Sequence, residues 1–383
     1  MRILYVATDQ VVPGTTGGSI HVTAVARGLA ALGHEVHALV TPGAGGLPSD
    51  ESVRWYALAP PLGARQLRFR LASAVKALSD AIRPDVVMER YYNFGGEGMR
   101  AARAAGVPYV LEVNAPIVDY AGSPKRTLDR ALLVEPMRRW RDRMCAAASL
   151  VITPSAAIVP DSISAERLLE VEWGADTERF RPGVVGETPF VRRAGDVLAV
   201  FAGAFRSWHG AVRLVEAMRT LKQQGRDDIS AVLIGDGPEL AAVRQAAFGL
   251  ERITLTGAVA HEAMPACLAA ADIGVAPFDV SAHAPLALDF YWSPLKVFEY
   301  MAAGLPVVAP EIPRLRHIVS HGREGVLYDA SAPAALAAAL TRLADDKGGR
   351  ASMGVAARER AVREFGWNVH CRKLDEALRR CAS

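Results

Sequence analysis

Residues 289–310, DFYWSPLKVFEYMAAGLPVVAP, concentrate the groups in this chain that could handle a charged, hydroxyl-bearing ligand. Ser293 and Pro294 read as the N-cap and first residue of a helix, because a serine oxygen caps free amides and proline's missing N–H costs nothing there. The unpaired amides of such a start, the positive end of the helix dipole and the charge of Lys296 together suit a diphosphate. Glu299 follows on the second turn, between Phe298 and Tyr300. A carboxylate in so apolar a setting needs donors, and a ribose diol has two. An ordinary helix start with a solvated or ion-paired acid is the alternative the residues alone leave open. Gly304 then ends the helix, and LPVVAP forms a short apolar strand.

Those residues have to be positioned by a larger frame, and the rest of the chain supplies it as a rhythm. RILYVAT, a Gly-containing loop, HVTAVARGLAALG and HEVHALVTP make one β-α-β unit. A helix near 65–82, strand DVVMER, helix GEGMRAARAAG and strand PYVLEVNAP repeat it, as in a parallel doubly wound sheet. Residues 125–148 read as helical with a break near Pro136, and SLVITPS as a strand followed by a helix. Polar and Gly/Pro-rich residues at 181–196 read as a linker. The rhythm restarts at DVLAVFAGA and runs through ISAVLIGDGP, ITLTGAV and DIGVAPF to the segment above. The expected division is therefore 1–180, a linker at 181–196, and 197–364.

The segment at 291–309 resembles the donor motif of the retaining glycosyltransferases of family 4: Glu, seven residues, Glu, then Ala-Met-Ala-x-Gly-x-Pro-Val-Val-Ala. The Ser-Pro-Leu-Lys variant places it with a bacterial branch of that family. The resemblance implies an α/β fold of GT-B architecture, two Rossmann-like doubly wound domains facing a cleft, with the last helix, 365–383, returning to the first domain. It implies transfer of a sugar, with retention, from a nucleoside-diphosphate sugar to an acceptor hydroxyl, uridine donors being commonest. Glu299 would bind the ribose, with Ser293, Leu295 and Lys296 around the diphosphate. Tyr291 stands where the family has its first Glu, which faces the donor sugar, so this chain departs from the pattern there.

Ligands of open parallel sheets bind beyond the carboxyl ends of the strands, so five loops are candidates. PGTTGGS carries Gly17 and Gly18, whose equivalents in the family close over the donor diphosphate and sugar; as a lone signal it is a flexible connection equally well. LEVNAP holds Glu112 and Asn114 at a strand end, where an Asx-type turn is the plain alternative and Asn114 the stronger candidate for the sugar. GAFRSWHGA offers Arg206 and His209 to phosphate, His209 replacing the family's Lys, with Trp208 as packing. GDGPE, with Gly235, would line the nucleotide pocket. Backbone near Val259 would meet the base, which leaves the base unread in side chains. Arg206, Lys296 and Asn114 are the residues expected to act on the reaction. Without an Asp-x-Asp motif at a strand end, Arg206, Lys296 and helix amides are expected to do the work of a metal, and no cofactor is expected.

Composition narrows the field further. The chain has 383 residues, 51% hydrophobic and 22% charged, with a formal charge of +3. That length suits two domains, and so small a charge gives no reason for a nucleic-acid partner. Cys145, Cys267, Cys371 and Cys381 have no metal or redox spacing, which fits a reducing cytoplasm. No leader peptide or spanning helix is read. The Arg-rich stretch from Lys125 to Met144, with Leu128, Leu132, Leu133 and Trp140, could rest on the inner face of an anionic membrane, a solvated basic helix being the alternative. The acceptor, whether glycan, glycolipid or natural product, is not legible. A nucleotide-sugar epimerase or hydrolase could use the same frame but would need an acid/base cluster near the sugar. A degenerate protein that binds nucleotide sugars without turnover is the second rival, made conceivable by Tyr291.

Overall fold

The structure, a computed structural model, describes residues 1–120, 123–132, 136–288 and 290–382. Asp289, at the head of the motif, and Leu133, in the basic stretch, lie outside them. The chain forms two compact units. The first comprises Met1–Trp173, Tyr291–Ser293 and Trp367–Ser383, and the second Gly174–Phe290 and Pro294–Gly366.

The first unit is built from β1 (Arg2–Val12), α1 (Gly17–Ala31), β2 (Glu35–Pro42), β3 (Arg54–Ala57), α2 (Ala72–Ile82), β4 (Val86–Arg90), α3 (Glu97–Ala105), β5 (Tyr109–Glu112), α4 (Pro124–Leu132), α5 (Pro136–Ala147), β6 (Leu150–Thr153) and β7 (Leu168–Glu170). Its seven strands are all parallel in the order β3-β2-β1-β4-β5-β6-β7. The second unit contains β8 (Val197–Ala202), α6 (Ala211–Gln223), β9 (Ile229–Ile234), α7 (Leu240–Ala247), β10 (Ile253–Gly257), α8 (Met264–Ala269), β11 (Ile273–Val275), α9 (Leu295–Ala302), β12 (Val307–Pro310), α10 (Pro313–Ile318), β13 (Gly325–Tyr328), α11 (Ala335–Asp345) and α12 (Lys347–Glu364). Its six strands are parallel in the order β10-β9-β8-β11-β12-β13. The last helix, α13 (Trp367–Ala382), belongs to the first unit, where Leu374, Ala377 and Leu378 join its core.

Central strands read as unbroken apolar runs because helices cover both faces of each sheet. Every residue of β4, β8 and β9 is buried accordingly. Each sheet reverses strand order beside its first strand, between β1 and β4 and between β8 and β11. The loops leaving β1 and β8 thus stand at the positions where open α/β sheets hold ligands.

Three local expectations change. The helix expected over 65–82 starts as a 3-10 turn, Arg65–Leu71, and becomes α-helical only at Ala72. In that turn Arg68 is fully buried against Glu97 and Glu89, at 2.5 and 3.3 Å, so a long-range ion cluster overrides helical propensity. No helix follows β6. Two short 3-10 turns, Ala156–Ile158 and Ala165–Arg167, lead instead into edge strand β7, and the prolines at 154 and 160 deny a continuous helix its amide donors. Residues 181–196, expected as a linker, lie within the second unit, where the Arg192 guanidinium meets Asp272 at 2.7 Å and Arg193 donates to the Glu251 carbonyl at 2.6 Å.

Candidate functional site

In the second unit, the predicted residues gather at the carboxyl ends of the strands. β8 ends at Ala202, and Gly203 follows with φ +137°, a conformation that favours glycine. A Cβ there would stand 3.1 Å from Lys296 Nζ, 3.2 Å from Lys296 Cε and 3.8 Å from His209 Nδ1, so the lysine packs closely against the Gly203 backbone. Gly235, at φ +143°, presses its backbone onto the Gly203 carbonyl, so a side chain at 235 would collide with that carbonyl. Lys296 is only 9% exposed, and its ammonium has no hydrogen-bond partner. Nζ lies 4.0 Å from the centre of the Phe201 ring and 5.4 Å from that of Phe278, which compensates only part of the lost hydration. Burial draws its pKa down to about 7, against a smaller opposing pull from Glu299.

His209 lies in a 3-10 turn, Ser207–His209, just before α6. Its Nδ1–H donates to the Ala204 carbonyl at 2.6 Å. Burial first, then the nearby Lys296 and Arg206 charges, lower its pKa to about 3, so the ring is neutral. In that state Nε2 is an acceptor, and His209 cannot replace the family's lysine as a cation unless an anion arrives. Arg206 is exposed and lies 5.4 Å over the Trp208 ring, which in turn packs on His283 at 4.1 Å, the structural role expected of Trp208.

α9 carries Lys296 and Glu299 three residues apart, but it starts one residue later than the sequence suggests. Pro294 is the N-cap, Leu295 the first helical residue, and no side chain caps the end. Ser293 Oγ points elsewhere, donating to Glu172 Oε2 at 2.6 Å and accepting the Trp173 amide at 3.0 Å. Both bonds lie within the first unit, and they outcompete capping because Glu172 offers a charged acceptor. Gly304, at φ +77°, stops the helix as expected. Glu299 is 16% exposed in its side chain, and His261 Nε2 lies 3.9 Å from its Oε1. Val259 and His261 lie on the turn between β10 and α8, with Val259 half-buried.

In the first unit, α1 starts at Gly17 and Gly18 behind Thr16, whose hydroxyl accepts the Ser19 amide at 3.3 Å. A side chain at 18 would run into the Gln10 carboxamide, which itself bonds Asp9. Asn114 is held at both ends of its amide: Nδ2 donates to Glu112, and Oδ1 accepts the Trp173 indole N–H at 3.1 Å. Glu112 also takes the Tyr5 hydroxyl at 2.6 Å and Arg90 at 2.8 Å, with His21 Nδ1 3.3 Å away. Asn114 therefore sits in a satisfied network rather than presenting a free amide. Tyr291 is 3% exposed, its ring 5.2 Å from Trp292, and burial raises the pKa of its hydroxyl, so nothing at that position supplies a carboxylate.

Family comparisons divide along the same boundary. Residues 15–168 match the description "Glycosyltransferase Family 4" and residues 196–346 match "Glycosyl transferases group 1". The chain is thus similar to family-4-like glycosyltransferases over most of each unit. A GDP-mannose-dependent alpha-mannosyltransferase of Mycolicibacterium smegmatis is 27% identical over 98% of this chain and 96% of its own length. A GDP-mannose-dependent alpha-(1-6)-phosphatidylinositol monomannoside mannosyltransferase of Mycobacterium tuberculosis is 28% identical, but the match spans only 54% of this chain and 54% of that protein. The sucrose-phosphate synthase of Thermosynechococcus elongatus superposes with TM-score 0.75 at 19% identity, covering 99% of this chain and 98% of that one, which establishes the GT-B fold.

Arg206, His209, Gly235, Lys296 and Glu299 lie in the second unit, on or beside loops and helices that follow its strands. Gly17, Gly18, Asn114, Tyr291 and Ser293 lie in the first unit. Sequence reasoning missed His261, Glu172, Trp173 and Gln10. His261 sits in a loop that was read only for its backbone, and the other three carry no local pattern, since each matters through a partner more than seven residues distant.

Proposed function

We propose that the protein transfers a hexosyl residue from a nucleoside-diphosphate sugar to an acceptor hydroxyl with retention, and that GDP-mannose is its donor. One observation carries the reading: at the carboxyl end of β8, beside Gly203, the Lys296 ammonium is buried and has no hydrogen-bond acceptor. An uncompensated buried cation is costly, and a diphosphate oxygen brought against it would satisfy it. Glu299, on the same helix, would accept ribose hydroxyls, in line with the family motif. The guanosine preference replaces the uridine donor expected from family frequency, because the relatives above are named as GDP-mannose-dependent.

In the reaction the bond between the anomeric carbon and the β-phosphate oxygen breaks as the acceptor oxygen bonds to the same face of that carbon. The acceptor's proton passes to the departing phosphate. Charge grows on that phosphate in an oxocarbenium-like transition state, and Arg206, Lys296 and the free amides opening α9 stabilise it without a metal. The acceptor is a glycan, glycolipid or polyol hydroxyl bound by the first unit.

A thermal-shift screen of GDP, UDP, ADP and their sugars tests the donor, followed by turnover with an acceptor panel. GDP and GDP-mannose should stabilise the protein most. A larger shift with UDP would return the donor to uridine, and no shift with any of them would overturn the donor site. Tyr291, a phenol where the family has a carboxylate, favours one second reading, a protein that binds the donor without transfer. Binding with no turnover across the panel would establish it.

A further inference from the structure

We infer that His261 is a second recognition group for the donor's ribose, closing with Glu299 on a single hydroxyl. This rests on the donor reading above and adds to it a residue that the motif does not contain. His261 lies on the turn between β10 and α8, at the same carboxyl edge as Gly203 and Lys296. Its backbone is pinned: its carbonyl accepts the Arg179 guanidinium at 2.7 Å and the Met264 amide at 3.3 Å, and its ring meets Phe180 edge-on at 5.9 Å. Yet Nε2, closed off from water, has no hydrogen-bond partner. Its nearest acidic atom, Glu299 Oε1, is 3.9 Å away, about 1 Å beyond a direct hydrogen bond.

That gap suits one hydroxyl oxygen. With the Nε2 tautomer, such an oxygen can donate its hydrogen to the carboxylate and accept the Nε2–H, satisfying both side chains at once. A carbonyl would leave the carboxylate without a donor, and an ammonium would leave the imidazole N–H without an acceptor. The pair therefore selects an alcohol, and in a donor whose diphosphate lies at Lys296 the alcohol is a ribose hydroxyl. Removing it would strand two polar groups, which is the arrangement that rejects a deoxy analogue most strongly.

The test compares binding of GDP, 2′-deoxy-GDP and 3′-deoxy-GDP to the full chain by calorimetry, using the uridine series if UDP is preferred in the screen. The wild type should favour the ribonucleotide over one deoxy analogue by about 30-fold or more. His261→Phe keeps the packing on Phe180 and should cut that ratio by about 10-fold, chiefly by weakening GDP. His261→Gln retains an N–H, so it should recover part of the ratio, and it serves as the measurement should the Phe variant not fold. An unchanged ratio in these variants, with GDP still bound, overturns the role of His261 and leaves the donor site standing. Failure of the wild type to bind either nucleoside diphosphate overturns both.

Discussion

Donor binding should draw a proton from solution onto Lys296. Burial beneath Gly203 and against Phe201 and Phe278 holds this lysine near 7, where its ordinary value is 10.5. The difference corresponds to about 5 kcal/mol against the charged form, as an order of magnitude. His209, already neutral, lies beside it, and Glu299 exerts a smaller pull that favours its charged form. At pH 8 a group near 7 is about one-tenth protonated, whereas a bound diphosphate dianion should restore most of its normal affinity for the proton. Uptake of about 0.9 proton per donor follows. The assay is calorimetric titration with GDP at pH 8 in two buffers of different ionisation enthalpy, where the dependence of observed heat on the buffer gives the proton count. Lys296→Met, similar in volume, should reduce uptake to near zero and weaken binding. Tight binding with no proton uptake by the wild type, or the same uptake in the Met variant, would refute the placement of the diphosphate at Lys296. Unfolding gives the sign check: because the folded-state pKa is depressed, the unfolded chain binds the extra proton between pH 7 and 10.5. Stability contributed by this residue therefore rises with pH across that window, and the Met variant should gain most over wild type below pH 7.

Other substitutions separate the remaining roles. Glu299→Ala should raise the donor KM about 10- to 100-fold with a smaller effect on kcat, since it removes charged hydrogen bonds made in ground and transition states alike. Arg206→Ala should lower kcat about 10- to 100-fold, because its exposed guanidinium is expected to act on charge that develops as the diphosphate leaves; unchanged kinetics in both variants would reject the site. Ser293→Ala removes a donor to Glu172 and the acceptor of the Trp173 amide and should cost about 1–3 kcal/mol in urea unfolding, while a serine acting as a helix cap would shift the helicity of α9 instead. Sedimentation with anionic vesicles tests membrane contact through α4 and α5, where Leu128 and Leu132 are 42% and 50% exposed beside Arg126, Arg130 and Arg139. Trp140 is unavailable to a bilayer in this arrangement, its indole N–H being bonded to the Gly95 carbonyl at 3.0 Å, so binding should survive Trp140→Phe and fall with added salt.

The sequence by itself determined the repeated β-α rhythm, the two parallel sheets and the helix that carries Lys296 and Glu299. Those features are local: a strand buried on both faces must be apolar throughout, and Gly304 ends α9 wherever that helix packs. It also marked the strand-end loops, since ligand sites in open sheets follow from strand order. Edge strands β3 and β7 escaped notice because three or four residues, only partly buried, carry little pattern. Tertiary structure alone decided the chemical state of the site. Burial draws the pKa of Lys296 down to about 7, and His209 is neutral through burial and neighbouring cations. Ser293 abandons the helix cap for a glutamate 121 residues away, and Glu299 gains His261 as a neighbour. Desolvation and pairing depend on which distant segments meet, and short-range spacing holds no record of that.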